Sequence, residues 1–262
     1  MPRMFGRHVA AGLTALVVTA ISVAAQQNPQ EHPGQYSQAD IEAGSRLYSA
    51  QCQLCHGPTG DQITGIDLRR GQFRRSTSDE DLTKVITTGV PGTAMPPFSL
   101  QPAEVTGVIA YIRAGFDPAG TAVKVGNAAR GKQLFEGKGT CNSCHRVSGV
   151  GPRVAPDLSD IGAARTPSIL QRALLEPSAV MQPINRPVRI VMKDGRTITG
   201  RRFNEDTFTV QLIDQQERLL SLDKTDIKTL DVQTTSPMPS FNGKLTTEEI
   251  SDVVAYLITL KG

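Results

Sequence analysis

The 262-residue sequence has no tryptophan, and aromatic residues make up only 5% of it. A surface that stacks nucleic-acid bases on aromatic side chains has little to be built from. An excess of one charge is also missing: 28 lysines and arginines face 25 aspartates and glutamates, a net charge of +3. That balance is too even for the electrostatic footprint of a nucleic-acid binder. Histidine and cysteine are scarce, at four residues each. Beyond the first 25 residues no apolar run is long enough to cross a membrane. What remains, 39% hydrophobic and 20% charged, is the composition of a folded chain with room for about two small domains.

Residues 1–25 read as a secretory signal peptide. Arg3 and Arg7 precede an apolar stretch from Val9 to Val23, and the small residues Ser22, Ala24 and Ala25 allow cleavage after Ala24 or Ala25. The alternative, an uncleaved anchor, meets a stretch somewhat short for a span of about 20 apolar residues. Cleavage removes two arginines and no acids, leaving 26 basic against 25 acidic residues and no transmembrane span. The mature chain is thus expected in the periplasm, where thiols oxidise.

All four cysteines fall in two copies of one motif, Cys52-Gln-Leu-Cys55-His56 and Cys141-Asn-Ser-Cys144-His145. C-x-x-C-H is the attachment signature of c-type haem. The two thiols add to the porphyrin vinyl groups, and the adjacent histidine lies under the iron as axial ligand. Two covalently bound haem c groups are therefore expected, attached through Cys52, Cys55, Cys141 and Cys144, with His56 and His145 on the irons. No cysteine is left for a structural disulfide. A four-cysteine zinc site would have to join pairs 85 residues apart, each followed by histidine. A thioredoxin-like redox pair needs a strand–helix context, whereas each motif here follows a helical pattern.

The surroundings of the motifs repeat as well. Gly44 precedes Tyr48 by four residues upstream of the first, and Gly131 precedes Phe135 by four upstream of the second. That spacing stacks glycine and aromatic on one helix face and lets a second helix cross closely. Each half closes with an amphipathic helix pattern: Val105, Val108, Ile109 and Ile112, then Ile250, Val253, Val254 and Leu257. Glu248 and Glu249 open the last of these, where the helix dipole favours acids.

With these parts in order twice, each half resembles a class I cytochrome c domain, a small helical fold around one haem. The match covers roughly residues 37–116, then 126–182 with 234–261. The resemblance implies methionine as the sixth iron ligand, often beside proline. Met95 in Ala94-Met95-Pro96-Pro97-Phe98 and Met238 in Pro237-Met238-Pro239-Ser240-Phe241 stand in matching places. Histidine supply agrees: past the signal, His56 and His145 leave only His32, in a polar tail. Met192 lies in a strand-like run, and Met181, after a helical pattern over Thr166 to Val180, is the competitor for the second iron.

The family also has a Pro-x-Leu segment after the haem motif, whose proline carbonyl orients the proximal histidine. Pro156-Asp157-Leu158 matches in the second half, but the first reads Ile66-Asp67-Leu68. A backbone carbonyl is still expected to accept the His56 N–H. The two irons are expected to differ in reduction potential, because their hydrogen bonding and burial differ.

The second half is longer. His56 to Met95 spans 39 residues and His145 to Met238 spans 93. The excess lies between about residues 186 and 233, where the period changes to two: Val188, Ile190, Met192, then Phe208, Val210, Leu212. Asp194-Gly195 signals a hairpin and Asn204 to Asp206 another turn. Four or five short antiparallel strands are expected, faintly resembling a small Sm-like barrel. The whole second half more closely resembles a haem-binding domain with a long insertion, appended to large dehydrogenase-like proteins of the cell envelope. A lid over the second haem, a docking surface and a functionless loop all remain open for the insertion. Charge also divides: 7 basic against 10 acidic residues over 26–120, and 19 against 15 over 121–262. The basic half could steer an acidic partner.

The sequence thus reads as a mainly α protein of two tandem cytochrome c domains, 26–120 and 121–262, the second carrying a small inserted antiparallel β module. The resemblance implies an electron carrier, not an enzyme, with no catalytic residues of its own. An exported dehydrogenase, quinoproteins among the candidates, would give electrons, and a cytochrome or terminal oxidase would take them. A permanent subunit of such a dehydrogenase has the same chemistry. The rival is a dihaem peroxidase-like enzyme with an open position at the second haem.

Overall fold

The computed structural model describes Met1, residues 33–73 and residues 78–262. The expected signal peptide, past Met1, and His32 lie outside the described residues.

Helix starts follow their caps. Ser37 and Asp40 form a capping box that opens α1 (Gln38–Gln51), and the short α2 (Gln53–His56) follows directly. Ser78 and Asp81 open α3 (Asp79–Thr88), and Pro102 occupies the first turn of α4 (Pro102–Arg113). Asn127 caps α5 (Ala128–Glu136), and α6 (Ile161–Ala164) is a single turn. Thr166 caps α7 (Pro167–Leu175), and Thr246 with Glu249 boxes α8 (Thr247–Thr259). The helical pattern over Thr166 to Val180 therefore breaks at Leu175. Pro177 pushes its predecessor out of the helical region, and Glu176 has φ −132 and ψ 60.

The two halves share one packing device. A Cβ on Gly44 of α1 would collide with the Gly107 carbonyl of α4, and one on Gly131 of α5 with the Asp252 carbonyl of α8. Only glycine lets these helix backbones touch. Tyr48 and Phe135, four residues on, are buried beside the crossings with 1% and 3% exposure. The first core gathers Ile41, Tyr48, Leu82, Val108 and Ile109; the second gathers Phe135, Leu170, Leu174, Ile250 and Val254.

Five antiparallel strands make the third core: β1 (Pro187–Met192), β2 (Thr197–Glu205), β3 (Thr209–Asp214), β4 (Leu219–Asp223) and β5 (Ile227–Val232). Their order is β4-β3-β2-β1-β5. Val188, Ile190, Met192, Val210 and Leu212 are buried in one cluster, joined by Leu220 and Leu222 of one edge strand and Leu230 and Val232 of the other. Both edges share one cluster, so the sheet curls around its own core. Gly195 takes φ 90 in the β1–β2 hairpin. The next turn falls later than expected: β2 runs through Glu205, and Asp206 accepts the amides of Phe208 and Thr209.

With 37% helix and 18% strand, the mainly α expectation is met only loosely, because the β module forms a distinct sheet beside the helices. The sequence periods carry this mixture; the sheet is large enough to need a core of its own.

The link between the halves is held from both sides. Asp79 accepts the Val125 amide at 3.0 Å, and Asp252 accepts the Asn127 amide at 2.6 Å. In return the Val125 carbonyl accepts from Asp79 N, and Gly126 N donates to the Ser251 carbonyl. Tyr36 N donates to the Ala122 carbonyl and Lys124 N to the Gly34 carbonyl, while Ala122, Val123 and Val125 are buried. The linker is thus fixed at both ends, backbone to carboxylate.

Candidate functional site

In each half the C-x-x-C-H residues form one tight turn directly after or near a helix that the Gly/aromatic face anchors. Cys52 ends α1, and His56 N donates to the Cys52 carbonyl at 3.0 Å. Cys141 opens a 3-10 turn (Cys141–Ser143), and His145 N donates to the Cys141 carbonyl at 2.9 Å. The same turn thus carries both thiols and the imidazole in each half. Cys52 and Cys141 are half-buried and Cys55 and Cys144 exposed, and none of the four is in a disulfide. Burial raises the Cys52 thiol pKa and pushes that of Cys141 up to about 11. Burial lowers both imidazole pKa values, offset at His145 by the Pro156 carbonyl, so both rings favour the neutral form that binds iron.

The methionine loops are built alike. Met95 N donates to Thr93 Oγ1, and Phe98 N, three residues on, donates to the Ile86 carbonyl in the last turn of α3. Met238 N donates to Ser236 Oγ, and Phe241 N, again three residues on, donates to the Leu174 carbonyl at the end of α7. Each loop is therefore stitched to the helix before it. In the second half Met238 and Cys141 border the same core cluster. In the first half Cys52 borders the cluster, together with Phe98 and Leu100 beyond the half-buried Met95. Met181 is half-buried just past α7.

The proximal histidines differ. His145 Nδ1 lies 2.8 Å from the Pro156 carbonyl, which leaves Nε2 to face a metal. His56 Nδ1 is buried with no hydrogen-bond partner. The expected backbone acceptor in the first half is therefore not formed. The reason is the path of the loop. Leu158 N folds back onto the Arg146 carbonyl, next to His145, whereas Leu68 N reaches only the Gly60 carbonyl, four residues past His56. The first half has instead a contact that the second lacks: Tyr48 OH donates to the Gly57 carbonyl at 2.9 Å, where the second half has Phe135. The sequence signal for this was visible as Tyr against Phe at equivalent places.

The β module grips the second site. Arg201 Nη2 of β2 donates to the Arg153 carbonyl at 3.2 Å, and Arg153 Nε lies 3.7 Å from Glu217, between β3 and β4. Arg153 is three residues before Pro156. Nothing in the strand pattern alone pointed to these arginines.

The donors present fit a covalent haem: two unpaired thiols and an imidazole on one turn, with a thioether loop tied to the neighbouring helix. Among the described residues no three His, Cys, Asp or Glu side chains gather as a metal cluster, so the four thiols do not build one zinc site.

Residues 39–112 match the family described as cytochrome c oxidase, cbb3-type, subunit III, and residues 128–220 match the cytochrome c family. A cytochrome c-553-like protein of Synechocystis is 28% identical over 105 residues, covering 39% of this chain and 97% of that protein. A solved reducing HAO-like protein complex of Kuenenia stuttgartiensis aligns over 86% of this chain and 99% of its own at 20% identity, with a TM-score of 0.27, too low to carry an argument. Such domains bind haem c and transfer electrons. The chain carries two cytochrome c domains in tandem, one in each half.

Proposed function

We propose that this chain is a periplasmic dihaem cytochrome c that passes single electrons from an exported dehydrogenase, such as a quinoprotein, to a cytochrome or terminal oxidase. The observation that carries the reading is the doubled construction: a C-x-x-C-H turn and a methionine loop, each stitched to its helix by the same pattern of amides, in both halves.

Each haem iron, when bound, supplies a one-electron couple between ferrous and ferric. Cys52 and Cys55 would hold the first haem and Cys141 and Cys144 the second, by thioether bonds. His56 and His145 would each supply an imidazole to the iron. Met95 and Met238 would each supply a thioether, leaving the iron no free position for water or substrate. The Pro156 carbonyl holds the His145 ring in orientation. Asp79 and Asp252 fix the linker between the two halves at both ends. The 26–120 and 121–262 halves serve as the two haem domains, with 186–233 as an insertion in the second. The domains are of an exported type, which supports a periplasmic location after cleavage of residues 1–25. No described helix is long and apolar enough to cross a membrane.

The test is a challenge with exogenous ligands. With both irons six-coordinate, the reduced protein binds carbon monoxide slowly and turns over no hydrogen peroxide. Fast binding at one iron with peroxide turnover would make the chain a peroxidase-like enzyme with an open second haem.

A further inference from the structure

Two arginines stand out at the neck where the β module joins the second domain. Arg186 immediately precedes β1, and Arg201 on β2 lies opposite Pro187, the first residue of β1. Both carry a buried Nε with no hydrogen-bond partner. Neither has a carboxylate partner among the described residues, although Arg130, Arg153, Arg172, Arg196, Arg202 and Arg218 all do. Among the described residues Arg201 has the Arg153 carbonyl and the face of Phe203, 4.9 Å from the ring centroid. Burial lowers its pKa, as expected for a charge lacking compensation. Both side chains are half-buried, and a buried Nε donor left without an acceptor is costly, which suits an anion that arrives later.

The neck is tied to the second haem loop by one hydrogen bond and leads along the chain to the methionine loop. The Arg153 carbonyl that Arg201 grips lies three residues before the Pro156 carbonyl that holds His145. On the other side, Val232 of β5 pairs with Val188, and the chain reaches Met238 six residues later. A haem carries two carboxylates, its propionates, and planar guanidinium is suited to bind carboxylate through two parallel N–H donors.

We propose that Arg186 and Arg201 form a guanidinium clamp for the propionates of the second haem, which makes the β module part of that haem's binding site. The inference rests on the reading that the second half binds haem. The insertion is then neither surplus loop nor only a docking surface. It supplies cationic groups that the first domain lacks at the corresponding place, where no insertion exists.

The same chemistry would also accept carboxylates of a partner protein, and the experiment separates the two. The full chain, matured through the export pathway, is compared with Arg186→Met, Arg201→Met and, as a control, Arg196→Met, which removes a charge paired with Asp194 in the exposed hairpin. Spectropotentiometric titration follows both midpoints, and resonance Raman follows the propionate-bending bands. In Arg186→Met and Arg201→Met one midpoint falls, the other holds and a propionate band shifts; in Arg196→Met neither changes. If both clamp variants keep the wild-type midpoints and bands, the clamp is overturned, and a salt-sensitive loss of donor turnover in them would assign the pair to a partner's carboxylates. Should Arg201→Met fail to mature, Arg201→Lys keeps the charge but loses the fork: a shifted band supports the clamp and an unshifted one overturns it. A wild-type chain with haem only on Cys52 and Cys55 would remove the underlying haem reading, which two haems with unmoved bands would not.

Discussion

The two halves solve the same problem with the same parts but secure them differently. The glycine crossing, the C-x-x-C-H turn and the phenylalanine amide stitch recur in both halves. The contacts around the proximal histidine do not. The first half uses a tyrosine hydroxyl on the Gly57 carbonyl and leaves His56 Nδ1 without an acceptor. The second half has a carbonyl on His145 and adds a β module that grips the loop supplying it. What is duplicated is the frame; what has diverged is the set of contacts that tunes the iron.

The largest expected effect comes from removing the frame in one half at a time. Gly44→Val and Gly131→Val each drive a branched side chain into a backbone carbonyl, which costs about 3 kcal/mol or more. Haem content is expected to fall selectively, first domain or second, as tryptic haem-peptide analysis would resolve. Loss of both haems in either variant would mean that the halves do not fold on separate cores.

The two linker carboxylates come next. Asp79 pairs with Arg113, whose side chain is 4% exposed, while Asp252 pairs with Arg130, which is 61% exposed. Breaking a buried charge pair costs about 3–5 kcal/mol, whereas an arginine exposed to water is solvated once its pair is broken and loses little. Each variant also leaves a linker amide unmatched, Val125 in Asp79→Ala and Asn127 in Asp252→Ala, adding about 1–2 kcal/mol to either. Asp79→Ala is thus expected to lower the melting temperature more than Asp252→Ala, and both to open residues 120–127 to limited proteolysis. Equal melting shifts would contradict the difference in burial.

A smaller effect concerns the irons themselves. A histidine hydrogen bond worth about 1 kcal/mol corresponds to roughly 40 mV for a one-electron couple. On the proposed ligation, the Pro156 bond to His145 would lower the second potential and the arginine clamp would raise it. Titration is expected to resolve two one-electron midpoints, and breaking the clamp should lower the second.

Much of this was legible in the residues. Gly44 and Gly131 could be recognised because glycine four residues before an aromatic appears twice, and glycine has few other reasons to lie inside a helix. The strands of the module were legible from the alternation of Val188, Ile190 and Met192. The helix end at Leu175 was misplaced because hydrophobic period outran the effect of Pro177 on its neighbour. The missing acceptor at His56 was only half legible: Ile66 in place of proline signals a difference, but which carbonyl reaches the ring depends on the loop path through Gly60. The carboxylate grip on the linker and the Arg186 and Arg201 pair were not legible, since they join residues distant in sequence with no period to mark them.

The central claim is two covalent haems, each closed by methionine. The visible spectrum and haem content of protein matured through the export pathway test it together. The account predicts two haems per chain, both low-spin, both with the weak far-red band of methionine-ligated ferric iron. One haem per chain, or a second haem that is high-spin or lacks that band, would contradict it.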